Sequence, residues 1–110
     1  MNKIPKTITL TDENFEIEVL GSAKPVLVEI GADWSGGCHI MSPILDELAF
    51  IYEEQIKFGK VDIQTNEKLA NNYGVTDLPI LLLFKNGDLR DNVIGTISKK
   101  ELETRLKSLL

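Results

Sequence analysis

Cysteine is almost absent from this chain. Cys38 is the only one in 110 residues. A single thiol excludes a disulfide framework and any internal disulfide. Positive charge is also scarce: 12 Lys and Arg stand against 17 Asp and Glu, for a net charge of −5 and a pI of about 4.8. That balance argues against a nucleic-acid or anionic-membrane surface, because binding phosphates needs concentrated Lys and Arg. The pair Lys99-Lys100 reads as a solvated helix start. Long apolar runs are missing too. The longest, Leu78 to Phe84, is far short of the about 20 residues that span a bilayer. The stretch Met1-Asn2-Lys3-Ile4-Pro5-Lys6 has no apolar h-region, so no secretory signal is visible. With one cysteine, a reducing compartment is expected, and the cytoplasm is the default. One Cys beside one His offers too few ligands for a metal, and no cofactor is expected. Internal repeats, low-complexity segments and linkers are likewise absent, so residues 1–110 read as one domain.

What is present has an ordinary globular composition, 43% hydrophobic and 26% charged. Ile8 to Leu10 reads as a short strand. Thr11 caps a predicted helix over Asp12 to Leu20, with acidic residues in its first turn, ended by Gly21. Val26 to Ile30 is a near-continuous apolar run, typical of a strand buried on both faces. Ile40, Met41, Ile44, Leu45, Leu48, Ala49 and Tyr52 recur at helical spacing and predict a helix from Ser35 to about Glu54, kinked at Pro43. A strand over Ile56 to Ile63 and a short helix over Glu67 to Tyr73, ended by Gly74, follow. Ile80 to Phe84 and Leu89 to Ile94 flank Asn86-Gly87, a hairpin signal because both turn positions tolerate positive φ. Ser98 and Glu101 form a capping box for the last helix, with Ile97 stapled against Leu102. The order β-α-β-α-β-α-β-β-α implies an α/β fold: a right-handed parallel crossover plus a hairpin, in one five-stranded mixed sheet with helices on both faces. Sites in such sheets form outside the carboxyl ends of strands, where the loop Gly31 to Gly37 falls.

That loop holds Trp34-Ser35-Gly36-Gly37-Cys38, half of a Cys-x-x-Cys motif at a strand-to-helix junction. Ser35 is a natural helix N-cap. As a nucleophile it would need a base; His39, four residues on, is within reach, but nothing supplies an oriented third member. Glu29 lies within an apolar run, which predicts a raised pKa. The contrary reading places it half exposed at a strand end, paired with Lys60.

From about Ile8 to Leu109 the chain resembles the thioredoxin family. The stretches that carry the resemblance are Thr11-Asp12-Glu13-Asn14-Phe15, Val26-Leu27-Val28-Glu29, Ala32-Asp33-Trp34, Pro43-Ile44-Leu45-Asp46-Glu47-Leu48-Ala49, Tyr73-Gly74-Val75 and Leu78-Pro79-Ile80-Leu81-Leu82-Leu83-Phe84-Lys85-Asn86-Gly87, with Gly95. The family motif is Trp-Cys-Gly-Pro-Cys. Here Ser35 replaces the first cysteine and Gly37 the proline, and Gly31 stands where the family usually has an aromatic. The resemblance implies the thioredoxin fold and a catalytic set of Cys38, Ser35, Glu29 and Lys60. In it Cys38 matches the second, resolving cysteine, Glu29 the acid beneath it and Lys60 that acid's neighbour. The resemblance also implies a cis Leu78-Pro79 loop. Its backbone would pair with an extended substrate peptide, in a groove lined by Trp34, Gly36, Gly37, Leu78, Pro79 and Gly95.

Cys38 is then either a small buried hydrophobe with an inert thiol, or a monothiol that forms mixed disulfides or carries a cap such as glutathione. Two functions stay open. One is a monothiol or partner-binding variant in thiol–disulfide redox metabolism, lacking dithiol turnover. The other is an ordinary protein-disulfide reductase, recycled by thioredoxin reductase, in which Ser35 is an engineered replacement of Cys. Either way the implied partners are disulfide- or thiol-containing proteins, and a monomer is expected.

Overall fold

Side chains on a strand point alternately to opposite faces, and this alternation sorts the apolar residues into two cores. The computed structural model describes residues 6–110; the reading of Met1 to Lys6 as lacking an apolar h-region falls, but for Lys6, outside them. Five strands form one sheet: β1 (Thr7–Leu10), β2 (Val26–Gly31), β3 (Lys57–Asp62), β4 (Ile80–Lys85) and β5 (Asp88–Ile94), in spatial order β1-β3-β2-β4-β5. The pairings β1–β3 and β3–β2 are parallel, and β2–β4 and β4–β5 antiparallel. This is the thioredoxin-type mixed sheet that the sequence predicts.

Every residue of β2 is buried, as a central strand covered on both faces requires. Leu27 joins a cluster with Met41, Leu45 and Leu48 of α1 (Gly36–Ile51) and Leu102 and Leu106 of α3 (Lys99–Lys107). Val26, Val28 and Ile30 join the opposite cluster with Phe15, Val19 and Leu69. Glu29 has the parity of Leu27, so its carboxyl faces the α1 side.

The first predicted helix takes a different form. Thr11 and Asn14 do cap each other, with Asn14 N–H donating to Thr11 Oγ1 at 3.1 Å and Thr11 N–H to Asn14 Oδ1 at 2.7 Å. Beyond them, Glu16–Leu20 forms a wide π-type turn, closed by Gly21 N–H donating to the carbonyl five residues back at 2.9 Å. A segment this short gains little from helix propagation, and the packing of Phe15 and Val19 on the sheet governs its pitch.

Asp12 is not in that segment's first turn at all. Its carboxylate accepts the N–H groups of Leu69 at 3.0 Å and Lys68 at 3.3 Å, at the start of α2 (Glu67–Asn72). The Asp12 N–H in turn donates to Oδ1 of the buried Asn66 at 2.9 Å. The first turn of α2 is thus capped from a loop far away in sequence.

The remaining ends differ by a few residues. α1 stops at Ile51 because Tyr52 turns inward, its hydroxyl donating to Glu103 at 2.8 Å. Ser98 caps α3 through Glu101 N–H at 3.2 Å, but the Glu101 carboxylate sits 3.6 Å from Arg105 rather than closing the box. The hairpin turn has both expected positive φ values, 54° at Asn86 and 79° at Gly87.

Candidate functional site

The carboxyl end of β2 delivers the chain to α1 through a turn in which Ser35 N–H donates to Ala32 O at 3.2 Å. Ser35 is buried, and its Oγ accepts the Cys38 N–H at 3.3 Å. Ser35 is therefore the N-cap of α1, extended at φ −87° and ψ 121°. His39 Nε2 lies 2.6 Å from the Asp33 carbonyl. A carbonyl only accepts, so this nitrogen carries the proton and the ring is committed to Asp33. Among the described residues the Ser35 hydroxyl is engaged by the Cys38 N–H, and the His39 bond runs to Asp33 instead.

Cys38 is half-buried, a more open position than an enclosed core hydrophobe would have. Gly31 accounts for its placement. A Cβ on Gly31 would fall 2.6 Å from Cys38 Sγ and 3.9 Å from the Glu29 carboxyl carbon. Thiol and carboxyl thus share the space that this missing side chain vacates.

Glu29 is only 6% exposed, and its Oε2 has no hydrogen-bond partner among the described residues. Burial raises its pKa; the Lys60 ammonium opposes the shift and the Asp46 carboxylate reinforces it. Lys60 lies opposite Glu29 in the β2–β3 register. Its Nζ donates to Asp46 Oδ1 at 3.2 Å and Ser42 Oγ at 3.4 Å, so its ion pair is with Asp46. The reading of Glu29 as a half-exposed partner of Lys60 is thereby corrected: the ammonium is drawn to the exposed carboxylate on α1, where it keeps more of its hydration.

On the β4 side, the Leu78–Pro79 peptide bond is cis, and Gly95 N–H donates to Pro79 O at 2.8 Å. A Cβ on Gly37 would lie 2.9 Å from Pro79 Cδ and 3.0 Å from Leu78 O. Gly37, Leu78, Pro79 and Gly95 therefore meet. Trp34 is 66% exposed at the rim, and among the described residues nothing lies within 4 Å of a Cβ built on Gly36.

On the β3 side lies a cleft of about 310 Å³ whose walls include Glu29, Gly31, Cys38, Ser42, Lys60 and Asp62. Among the described residues no three His, Cys, Asp or Glu side chains are grouped to hold a metal ion. Sequence reasoning missed the parts played by Gly31, Ser42 and Asp46. Gly31 had a signal, since a glycine where an aromatic is usual predicts empty space beside it. Ser42 and Asp46 had none beyond lying one turn apart on α1.

The family model described as thioredoxin matches residues 6–108. Over 97 residues the chain is 40% identical to thioredoxin 1 of Synechococcus elongatus, covering 88% of this chain and 91% of that protein. It is 41% identical over 101 residues to thioredoxin 1 of Nostoc sp., covering 92% and 94%. Thioredoxin M5, chloroplastic, of rice is 40% identical over 103 residues, which are 94% of this chain but 60% of that protein.

Proposed function

Because this chain belongs to the thioredoxin family, we propose that it acts in thiol–disulfide redox chemistry through the single thiol of Cys38, without dithiol turnover. A partner protein presents its disulfide on an extended segment beside Gly37, Leu78 and Pro79, pairing backbone to backbone as an added strand. Cys38 sulfur attacks one sulfur of that disulfide. The partner's S–S bond breaks, a Cys38–partner disulfide forms, and the proton of Cys38 ends on the departing sulfur. Glu29, beneath the thiol with Lys60 opposite it, is the group that passes this proton. Trp34, Gly36 and Gly95 complete the rim of the groove.

A dithiol enzyme would then expel the partner by attack of its other cysteine. Ser35 cannot do this: an alcohol does not ionise at neutral pH, and oxygen does not exchange with disulfides. The mixed disulfide persists until an external thiol removes it. The observation that carries the reading is a half-buried Cys38 poised over an unpartnered buried carboxyl.

The alternative, a reductase recycled by thioredoxin reductase with Ser35 engineered, explains the serine but leaves Gly31 and Gly37 without a reason. The close fit of both glycines to their neighbours favours the monothiol reading. The reading includes a cytoplasmic monomer, in keeping with a lone thiol and a net charge of −5.

The test is incubation of the protein with a disulfide-bonded protein, followed by intact mass and a non-reducing gel. The expected product is one stable mixed disulfide at Cys38 when no other thiol is present; with dithiothreitol supplied, turnover stays slow because each round waits for that external thiol to attack the mixed disulfide. Multiple turnover at a dithiol enzyme's rate would overturn the reading.

A further inference from the structure

Lys60 and Glu29 stand side by side in the β2–β3 register, so their side chains project to the same face of the sheet. That placement would allow the ammonium to neutralise the buried carboxyl. The ammonium goes elsewhere. Its Nζ donates to Asp46 Oδ1 at 3.2 Å and to Ser42 Oγ at 3.4 Å, which lie one turn apart on α1. Asp46 is exposed and Lys60 half-buried, so both ends of this ion pair keep water. A pair with Glu29 would instead need an ionised carboxyl that is only 6% exposed.

Titratable groups surround Glu29 from each neighbouring element. From α1 come Asp46, the Cys38 thiol and His39, whose ring is held by the Asp33 carbonyl. From β3 come Lys60 and Asp62, and Asp62 is turned to its own loop, where it accepts the Gln64 N–H at 2.9 Å. The loop after β2 brings the exposed Asp33. On the β4 side the register partner of Glu29 is the apolar Leu81. Burial favours the protonated carboxyl, Lys60 works against it and Asp46 works with it. Asp46 thus acts twice. Its own charge keeps the proton on Glu29, and its ion pair holds back the ammonium that would displace that proton.

We propose that Asp46, with Ser42, is a positioning residue for the reaction of Cys38: by anchoring Lys60 on α1 it leaves the buried Glu29 carboxyl unpaired, so that this group exchanges a proton with the thiol instead of being held ionised in a salt bridge. The Glu29 carboxylate takes the Cys38 proton, and the thiolate attacks one sulfur of the partner's disulfide. The partner's S–S bond breaks, the Cys38–partner disulfide forms, and the proton passes from Glu29 to the departing sulfur. The partner disulfide is the oxidant. A carboxylate locked to Lys60 would bind a proton too weakly to take it from a thiol. The inference rests on the proposed reactivity of Cys38 and adds the residue that tunes it.

Two measurements on the same variants test this role. The ionisation of Glu29 is followed through pH by NMR of its side-chain carboxyl, and mixed-disulfide formation with a disulfide-bonded peptide is timed over the same range by intact mass. Asp46→Asn is expected to move the Glu29 midpoint to lower pH. The acid limb of the rate profile should move with it, so that the rate at its acid end rises at least about threefold relative to the plateau. Asp46→Glu, which still presents a carboxylate to Lys60, should keep the parent profile. In a Lys60→Met background, Asp46→Asn should shift the midpoint less than about half as far, because the direct effect of its charge alone remains. Asp46 is exposed, and denaturant unfolding establishes that the variants fold. A midpoint that Asp46→Asn leaves in place, or shifts equally far without Lys60, would overturn the anchoring role while peptide exchange continues. A shifted midpoint with an unshifted rate profile would overturn it as well, since Asp46 would then act on Glu29 without bearing on Cys38. No mixed disulfide with the peptide at any pH would overturn it together with the monothiol reading.

Discussion

The two sides of Cys38 are each lined by a glycine, and at each the missing Cβ lets a different kind of neighbour come close. At Gly37 the missing Cβ lets the Leu78–Pro79 loop close to 2.9 Å of where that atom would be, so the wall is tight. At Gly31 the missing Cβ leaves the thiol and a buried carboxyl facing a polar cleft of about 310 Å³. The same deletion of a side chain admits the Leu78–Pro79 loop on one side and the Cys38 sulfur, 2.6 Å from the absent Cβ, on the other. What differs is the neighbour that takes the space: a proline loop in one case, a thiol in the wall of a cleft in the other.

The largest effect that would sharpen this contrast is on turnover. Ser35→Cys restores a second sulfur at the helix end, where N–H groups favour a thiolate. Thiol-driven reduction of a disulfide-bonded protein should rise by about two orders of magnitude or more, since the mixed disulfide can now resolve internally. A precipitation assay measures it; an inactive Ser35→Cys protein would mean that the groove side is not competent.

Next comes Gly37→Ala. Its Cβ meets a proline ring atom at 2.9 Å and a backbone oxygen at 3.0 Å, neither of which moves freely. Overpacking of about 1–3 kcal/mol should outweigh the about 0.5–1 kcal/mol that alanine gains in a helix. A denaturant midpoint equal to or above that of the parent would show the groove wall to be soft.

On the cleft side, Glu29→Leu should stabilise the fold at neutral pH by about 1–3 kcal/mol, because it removes a buried carboxyl with an unpartnered oxygen. The pH dependence has a definite sign. Burial raises the folded pKa of Glu29 above its unfolded value. Between the two values the folded chain holds a proton that the unfolded chain has lost, so stability falls as pH rises through that window. The parent should show this slope and Glu29→Leu should lack it. A destabilised mutant would mean that Glu29 is satisfied after all.

The smallest effect is that of Ser35→Ala. Its cap bond is long, 3.3 Å, so the loss should fall near the low end of the usual range, about 0.5–1 kcal/mol. Thermal unfolding of Ser35→Ala beside Ser98→Ala, which loses a 3.2 Å bond, would rank the two caps. A much larger loss at Ser35 would tie it to the groove as well as to the helix.

Most of the framework was legible from residue patterns. The run Val26 to Ile30 announced a central strand, Asn86-Gly87 a hairpin, and Ser35 and Ser98 two helix starts, because each depends on a few adjacent residues. The burial of Glu29 followed from its apolar neighbours. What the pattern could not show depends on distant partners: the wide turn at Glu16–Leu20, set by packing on the sheet; the pairing of Lys60 with Asp46; and the cleft, which requires knowing that Gly31 faces Cys38. Asp12 was misplaced for the same reason, since nothing in its vicinity announces a helix that begins more than fifty residues later.

That borrowed cap has a bearing on the order in which the molecule assembles. α2 is six residues long, too short to persist alone, and the two amide groups that open it are held by Asp12. It has no local means of starting. Pairing of β1 with β3 is what brings Asp12 to that position in the folded chain. Amide exchange at Lys68 and Leu69 should consequently track the docking of the first strand rather than the helix's own fraying. The short helix is in this sense a latch, thrown from a loop near the start of the sequence.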